Sequence, residues 1–278
     1  MEHQTSDGLT NNRDAAPLPA GSALVAILLG VAGSAWLISA RLATPDMRLG
    51  VLTGAAMVSA RSPMGMLGST SMSMGLSAFI ATWTVMMVAM MVPSTIPAVK
   101  TFDTAARTTG QPGGATVLFL AGYLLVWSMI GAVAYLIVQS LQGWLPVGSL
   151  TALRVGAGLL VVAGVSQLLP PTQACLRHCR SPQRDVASPV VTRVRGYLGA
   201  VRMGLTHGLY CLGSSWPLML VLLLVGMMNL AWMGVIAGVI FVEKVVPSGA
   251  VVSKVVGWGL TGGGIILLTA PQTLPALA

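Results

Sequence analysis

The fold class of this protein is decided by its longest apolar stretch, residues 199–246, GAVRMGLTHGLYCLGSSWPLMLVLLLVGMMNLAWMGVIAGVIFVEKVV. A helix that crosses a membrane needs roughly 20 consecutive, mostly apolar residues, and this stretch is more than twice that long. It breaks most naturally at Gly226–Asn229, so we expect two helices joined by a tight turn. An apolar helical hairpin of this length predicts an integral membrane protein.

The rest of the chain has the same character. Further candidate spans are Gly21–Ala40, Gly75–Val99, Ala115–Val138, Leu150–Pro170 and Gly249–Ala270. The apolar segment Leu49–Ala60 is too short to cross, and we expect it to lie at the membrane interface or to re-enter. Charged residues make up 8% of the chain, against about 25% in soluble domains. These features predict an all-α, polytopic transmembrane helical bundle of about seven spans, with six as the alternative.

Basic residues set the predicted orientation. The segment Pro171–Leu198 carries five arginines against one acid, Asp185, and loops of this kind face the cytoplasm. The polar tail, residues 1–20, is then cytoplasmic, and the single transmembrane domain, residues 21–278, ends outside. We therefore predict a multi-pass protein of the cell inner (plasma) membrane. Basic residues in cytoplasmic loops also account for the net charge of +8, so we do not expect nucleic acid as a partner. The lipid bilayer is the expected partner, and a membrane protein partner or a homo-oligomer is left open.

Methionines concentrate in two neighbouring segments. A Gly/Ser-rich stretch predicted outside the membrane carries one group at short spacings: Met64, Met66, Met72 and Met74. A second group lies within the span Gly75–Val99, paired at i, i+4: Met86, Met87, Met90 and Met91. Thioether sulfur is a soft ligand that suits Cu(I), so both groups are candidate metal ligands. The alternative is that these adaptable side chains fill gaps in packing.

Two prolines, Pro93 and Pro97, follow the second methionine group. Each removes one backbone hydrogen bond and favours a kink. We expect the freed carbonyl groups to face a cavity or to be satisfied by neighbouring helices.

Histidine and cysteine form two further candidate sites. His207 and Cys211 are four residues apart inside an apolar stretch, hence on one face of a helix, and both types ligate transition metals. Cys175, His178 and Cys179 lie close together in the basic loop, where free thiols could bind Cu(I) or Zn(II) and arginines could hold anionic lipid. We expect the arginines to lower the pKa of these thiols. The alternative is that His207 satisfies a neighbouring group and Cys211 packs as a small apolar residue.

Three other polar residues interrupt the apolar stretch. Asn229 lies at the predicted turn and is expected to cap a helix. Glu243 and Lys244 lie near the cytoplasmic end of the next helix. We expect them to snorkel as a surface pair, with a proton or cation site at Glu243 as the alternative.

Several motifs together resemble a known family. They are W-x-x-M-M-x-A-M-M-x-P-x-x-x-P at Trp83–Pro97, C-L-R-H-C-R-S-P at Cys175–Pro182, G-L-x-H-G-L-Y-C-L-G at Gly204–Gly213, G-x-M-N-x-x-W-M at Gly226–Met233 and E-K-x-x-P-x-G at Glu243–Gly249. Residues 75–260 resemble the bacterial predicted metal-binding integral membrane proteins, domain of unknown function 2182. The resemblance implies a membrane-embedded metal site. Similar proteins carry cysteine where this chain has Ser214 and Ser215, which removes soft ligands beside His207 and Cys211.

The predicted function is therefore Cu(I) handling, by uptake, transfer or homeostasis, through Met, His and Cys ligands, with Cu(I) as the expected metal. The alternative is a non-catalytic scaffold or assembly subunit of a larger membrane complex, built on small-residue helix contacts. The chain has no nucleotide-binding or hydrolase motif. We therefore do not expect an enzyme.

Overall fold

The structure is a computed structural model, and it describes residues 20–42, 75–110, 114–142, 150–181, 196–225 and 229–269. The candidate ligands Met64, Met66, Met72 and Met74 lie outside the described residues, as do residues 1–19 and Leu49–Ala60.

All the regular structure in these ranges is helical, which confirms the predicted fold class. The helices are α1 (Ala20–Leu42), α2 (Leu76–Thr108), α3 (Ala115–Gln142), α4 (Leu150–Leu168), α5 (Pro170–Arg180), α6 (Tyr197–Val225), α7 (Leu230–Val245) and α8 (Gly249–Thr269). Six of them are long and apolar enough to cross a membrane, and the exceptions are α5 and α7. The 16 residues of α7 span about 24 Å, somewhat less than the roughly 30 Å hydrocarbon core.

The predicted break in the longest apolar stretch is confirmed, because α6 ends at Val225 and α7 begins at Leu230. Asn229 caps α7 as expected: its side-chain oxygen accepts hydrogen bonds from the backbone N–H groups of Ala231 and Trp232. Asn229 is therefore the N-cap residue of α7.

Helix α2 is longer than predicted. It continues through Pro93 and Pro97 to Thr108, nine residues past the expected end at Val99. The carbonyl freed by Pro93 is that of Ala89, four residues earlier. It accepts a hydrogen bond of 3.0 Å from the indole Nε1 of Trp36 in α1. A neighbouring helix thus replaces the backbone bond that Pro93 removes, which is the second of the two alternatives that the sequence left open.

Glycine contacts bring two pairs of helices together. On α6, a Cβ atom at Gly204 would collide with the backbone oxygen of Phe119 in α3. On α8, a Cβ atom at Gly264 would lie 2.9 Å from the carbonyl oxygen of Ala157 in α4. Small residues let helix backbones approach closely in membranes, so α6 packs along α3 and α8 along α4.

Large apolar side chains are exposed on the outer surface of the described helices, and several polar groups lie among the apolar residues of the interior. Leu37 on α1 is 72% exposed and Trp258 on α8 is 68% exposed. Gln167, Glu243 and Ser253 are fully or almost fully buried. This distribution fits a multi-pass protein whose outer face contacts lipid.

The helix ends define two ends of the bundle. Leu28 near the start of α1 packs in one cluster with Phe102, Phe119 and Ala200, from the end of α2 and the starts of α3 and α6. Helix α7 runs back from the end of α6 and leads into α8, whose Ser253 is bonded to α5. Helices α1, α6 and α8 therefore start towards the same end, and α8 finishes at the opposite one.

Candidate metal centre

Two cysteines from different helices meet in the protein interior. Cys211 lies midway along α6 and is completely buried, and Cys179 near the end of α5 is 9% exposed. Both belong to the same buried cluster, and the Cys179 sulfur lies 3.8 Å from the hydroxyl of Ser214, three residues after Cys211. The sequence placed these residues in two separate candidate sites, and the structure brings them into one.

The short helix α5 explains why they meet. The segment was predicted to be a loop, but Pro170 and Pro171 occupy the first turn of a helix, where proline's missing N–H group does no harm. Cys175 and Cys179 then lie one turn apart on a single face. A Cβ atom at Gly213 would lie 2.6 Å from the Cys175 sulfur, and the Cys179 sulfur lies 3.8 Å from the Ser214 hydroxyl. Both cysteines therefore face α6.

Hydrogen bonds hold α5 against the neighbouring helices. The Arg180 guanidinium donates to the carbonyl oxygens of Val246, at 2.8 Å, and Pro247, at 2.6 Å, just past the end of α7. Gln173 donates to the Gln167 backbone at 2.7 Å and to the Ser253 hydroxyl at 3.0 Å. A guanidinium suits the unpaired carbonyl groups at a helix C-terminus, so Arg180 anchors α5 beside α7.

Lys244 completes the surroundings of Cys211. Its ammonium nitrogen donates a hydrogen bond of 2.8 Å to the Cys211 sulfur, and the Tyr123 hydroxyl shares a 3.2 Å hydrogen bond with the same sulfur. Lys244 is 8% exposed and Glu243 is 1% exposed. The prediction that this pair snorkels to the surface is therefore wrong. Glu243 instead accepts a 2.8 Å hydrogen bond from Gln167 in α4.

The two candidate histidines have different surroundings. His207 is buried one turn before Cys211, and its ring lies 5.9 Å from the ring centres of both Phe119 and Tyr123. His178 is exposed and stacks on Tyr210 at 4.4 Å. His178 therefore faces away from the buried thiols, although it lies next to Cys179 in sequence.

The methionines of α2 share a core with the thiols. Met86, Met87, Met90 and Met91 are at most 1% exposed and belong to the same buried cluster as Cys179 and Cys211. The methionines of α2 and the His207–Cys211 pair of α6 were both predicted as candidate ligands. In the structure α2 packs mainly on α1, α3 and α7, and α6 packs mainly on α3, α5 and α4. Gly204 and Gly208 on α6 lie against the backbone and side chains of α3, so α3 is the helix that packs closely on α6.

The ligand set is small. In the part of the chain that the structure describes, no three His, Cys, Asp or Glu side chains group closely enough to hold a metal ion. Structural zinc sites use four such ligands. Two thiolates within a methionine-rich core are instead donors that favour Cu(I).

Partial burial raises the pKa of the Cys175 thiol, contrary to the lowering expected from its arginine neighbours.

Sequence reasoning missed three residues of this site: Lys244 as a partner of Cys211, Tyr123 and Gln167. The Glu243–Lys244 pair inside an apolar stretch was a usable signal, because buried charges in membranes have partners. Tyr123 and Gln167 are single polar residues in apolar helices, and nothing in their spacing connects them to Cys211.

The fold and the site define a class: helical proteins with six helices able to cross a membrane and with two buried cysteines in a methionine-rich core. Comparison with known families agrees with that class. The sequence model of a family described as a copper chaperone, PpoB2, matches residues 80–267, about two thirds of the chain. The chain belongs to this copper chaperone family. No curated protein and no solved structure matches it.

Proposed function

We propose that this protein binds Cu(I) between Cys179 and Cys211 and passes it on as cargo. The observation that carries this proposal is the burial of two cysteines from separate helices in one methionine-rich core, where the Cys179 sulfur contacts Ser214, three residues after Cys211. Membership of a copper chaperone family supports the choice of metal.

The surroundings of the thiols suit a cargo site for Cu(I). Cu(I) accepts two thiolate ligands, and neighbouring thioethers can bind it without any change of protonation. Ser214 lies where similar proteins carry cysteine, and its hydroxyl is a poor ligand for a soft ion. Cys179 supplies the second sulfur from α5 instead. The serine replacements therefore leave a two-sulfur site intact.

The proposal includes a location and a direction. We place the protein in the inner (plasma) membrane with the basic segment after α5 in the cytoplasm. The thiol pair then lies midway along α6, against α5, which follows the cytoplasmic end of α4. The methionines of α2 lie in the same core, and Met64, Met66, Met72 and Met74 would be the external ligands that capture the ion.

The test is a Cu(I)-binding measurement on protein purified in detergent without a histidine tag. Anaerobic, reduced protein is titrated with Cu(I) against a chromophoric chelator, and bound copper is counted by elemental analysis. We expect about one tightly bound Cu(I) per chain, on the two-thiolate chemistry above. Cys179→Ser and Cys211→Ser should each abolish tight binding.

Cys175→Ser is the matched control and should retain tight binding. It replaces a cysteine on the same face of α5 as Cys179, but the Cys175 sulfur packs against Gly213 of α6. Gel filtration and thermal unfolding check that each variant is folded. Wild-type protein that binds no Cu(I), or full affinity in both the Cys179 and Cys211 variants, would overturn the proposal. Co-purification with a stable partner and no metal would favour a scaffold role.

A further inference from the structure

Lys244 is a buried charged residue that contacts one of the two proposed copper ligands. Its ammonium group is 2.8 Å from the Cys211 sulfur, and Cys211 shares a buried cluster with Cys179. A buried lysine in a membrane protein costs free energy, and hydrogen bonding to a neutral thiol offsets little of it. Its placement is therefore explained best by negative charge on the sulfur ligands.

The charges at the site can be counted. A bound metal requires both thiols in the thiolate form, which gives two negative charges, and Lys244 contributes one positive charge. The three groups then carry one net negative charge. A monovalent ion neutralises these three groups, whereas a divalent ion leaves them with an excess positive charge. An ionised Glu243, adjacent to Lys244 and also buried, would offset part of that excess.

We propose that Lys244 makes the site selective for monovalent Cu(I) over divalent ions such as Zn(II). This inference rests on the proposed function, because it concerns the same two thiols. Thiolates alone bind both ions tightly, so sulfur chemistry does not separate them. The ammonium group repels a divalent ion about twice as strongly as a monovalent one at the same distance.

Two other charged residues, Glu243 and Arg180, lie near Lys244 in the structure. Glu243 is adjacent to Lys244, and its carboxyl group is bonded to Gln167 on the α4 side. Arg180 is bonded to the carbonyl groups of Val246 and Pro247. Replacing Lys244 with a neutral residue should favour divalent ions. Neutralising Glu243 should favour monovalent ions or have no effect.

The experiment measures Cu(I) and Zn(II) affinities of the full-length protein by chelator competition. In Lys244→Met, the ratio of Zn(II) affinity to Cu(I) affinity should rise at least about tenfold, given the difference in Coulomb energy between the two ions. Lys244→Gln provides a second neutral side chain if the methionine variant does not fold. Lys244→Arg keeps the charge and should keep the ratio within about threefold of wild type.

Lys254→Met is the matched control, since it removes one lysine charge at an exposed position of α8. An unchanged ratio in folded Lys244→Met or Lys244→Gln protein that binds both ions would overturn the inference. A Glu243→Gln shift towards Zn(II) would also contradict it. Failure of the proposed function is a separate result: wild-type protein would then bind no Cu(I) at all.

Discussion

The hydrogen bond from Trp36 to the Ala89 carbonyl gives the sharpest prediction about the fold. Trp36→Phe removes the indole donor and retains a large aromatic ring. The Ala89 carbonyl is then left without a donor, because Pro93 has no N–H group to offer it. We expect the substitution to destabilise the protein through this carbonyl as well as through lost packing.

The magnitude follows from hydrogen-bond energetics. A single hydrogen bond between helices in a membrane is worth roughly 0.6 kcal/mol on average, and an unsatisfied buried carbonyl costs about 1–3 kcal/mol. We therefore expect Trp36→Phe to cost about 1 kcal/mol beyond packing. In a Pro93→Ala background, the backbone N–H group restored by the substitution can bond to the Ala89 carbonyl, so this part of the cost should disappear.

The assay is a double-mutant cycle on reversible unfolding in mixed detergent micelles, followed by circular dichroism. The coupling free energy between Trp36→Phe and Pro93→Ala should be about 1 kcal/mol. Pro97→Ala is the control, because it restores a donor to a different carbonyl, that of Pro93. Equal costs of Trp36→Phe in the wild-type and Pro93→Ala backgrounds would refute the explanation.

Two further predictions concern helix packing and the metal site. Gly204→Ala should destabilise the protein by about 1–3 kcal/mol, because its Cβ atom would collide with the Phe119 backbone. The control Gly158→Ala, in open space on α4, should be nearly neutral in the same unfolding assay. Ser214→Cys should strengthen Cu(I) binding at least several-fold by chelator competition, because it adds a third soft ligand next to Cys179; unchanged affinity would show that residue 214 does not reach the metal.

Local sequence signals predicted most of the fold. The length of apolar runs indicated the spans, and Asn229 marked the start of α7, because spans and caps depend on residues close together in sequence. The end of α2 was misplaced because the predicted span was limited to its apolar residues, up to Val99, whereas the helix continues through a more polar segment to Thr108. Trp36, 53 residues before Ala89, supplies the compensating bond, and a local pattern cannot show such a contact.

The candidate site was predicted in part. His207, Cys211 and Cys179 were identified from their chemistry, but their grouping depends on which helices are neighbours. Gly204 and Gly213 allow α3 and α5 to approach α6 closely, and this choice of partners is a property of helix surfaces in three dimensions. The partnership of Lys244 with Cys211 follows from the same packing.

The position of α5 also decides how cargo could leave the site. Passing a metal ion to a partner by ligand exchange requires an incoming sulfur or nitrogen atom to reach the ion before the first ligands release it. Cys211 is completely buried and Cys179 nearly so, so a partner cannot reach an ion between them while α5 is in place. Under the proposed function, release past α5 would require α5 to move and the two hydrogen bonds from Arg180 to the end of α7 to break. Arg180 would then contribute to the kinetic barrier that retains the ion.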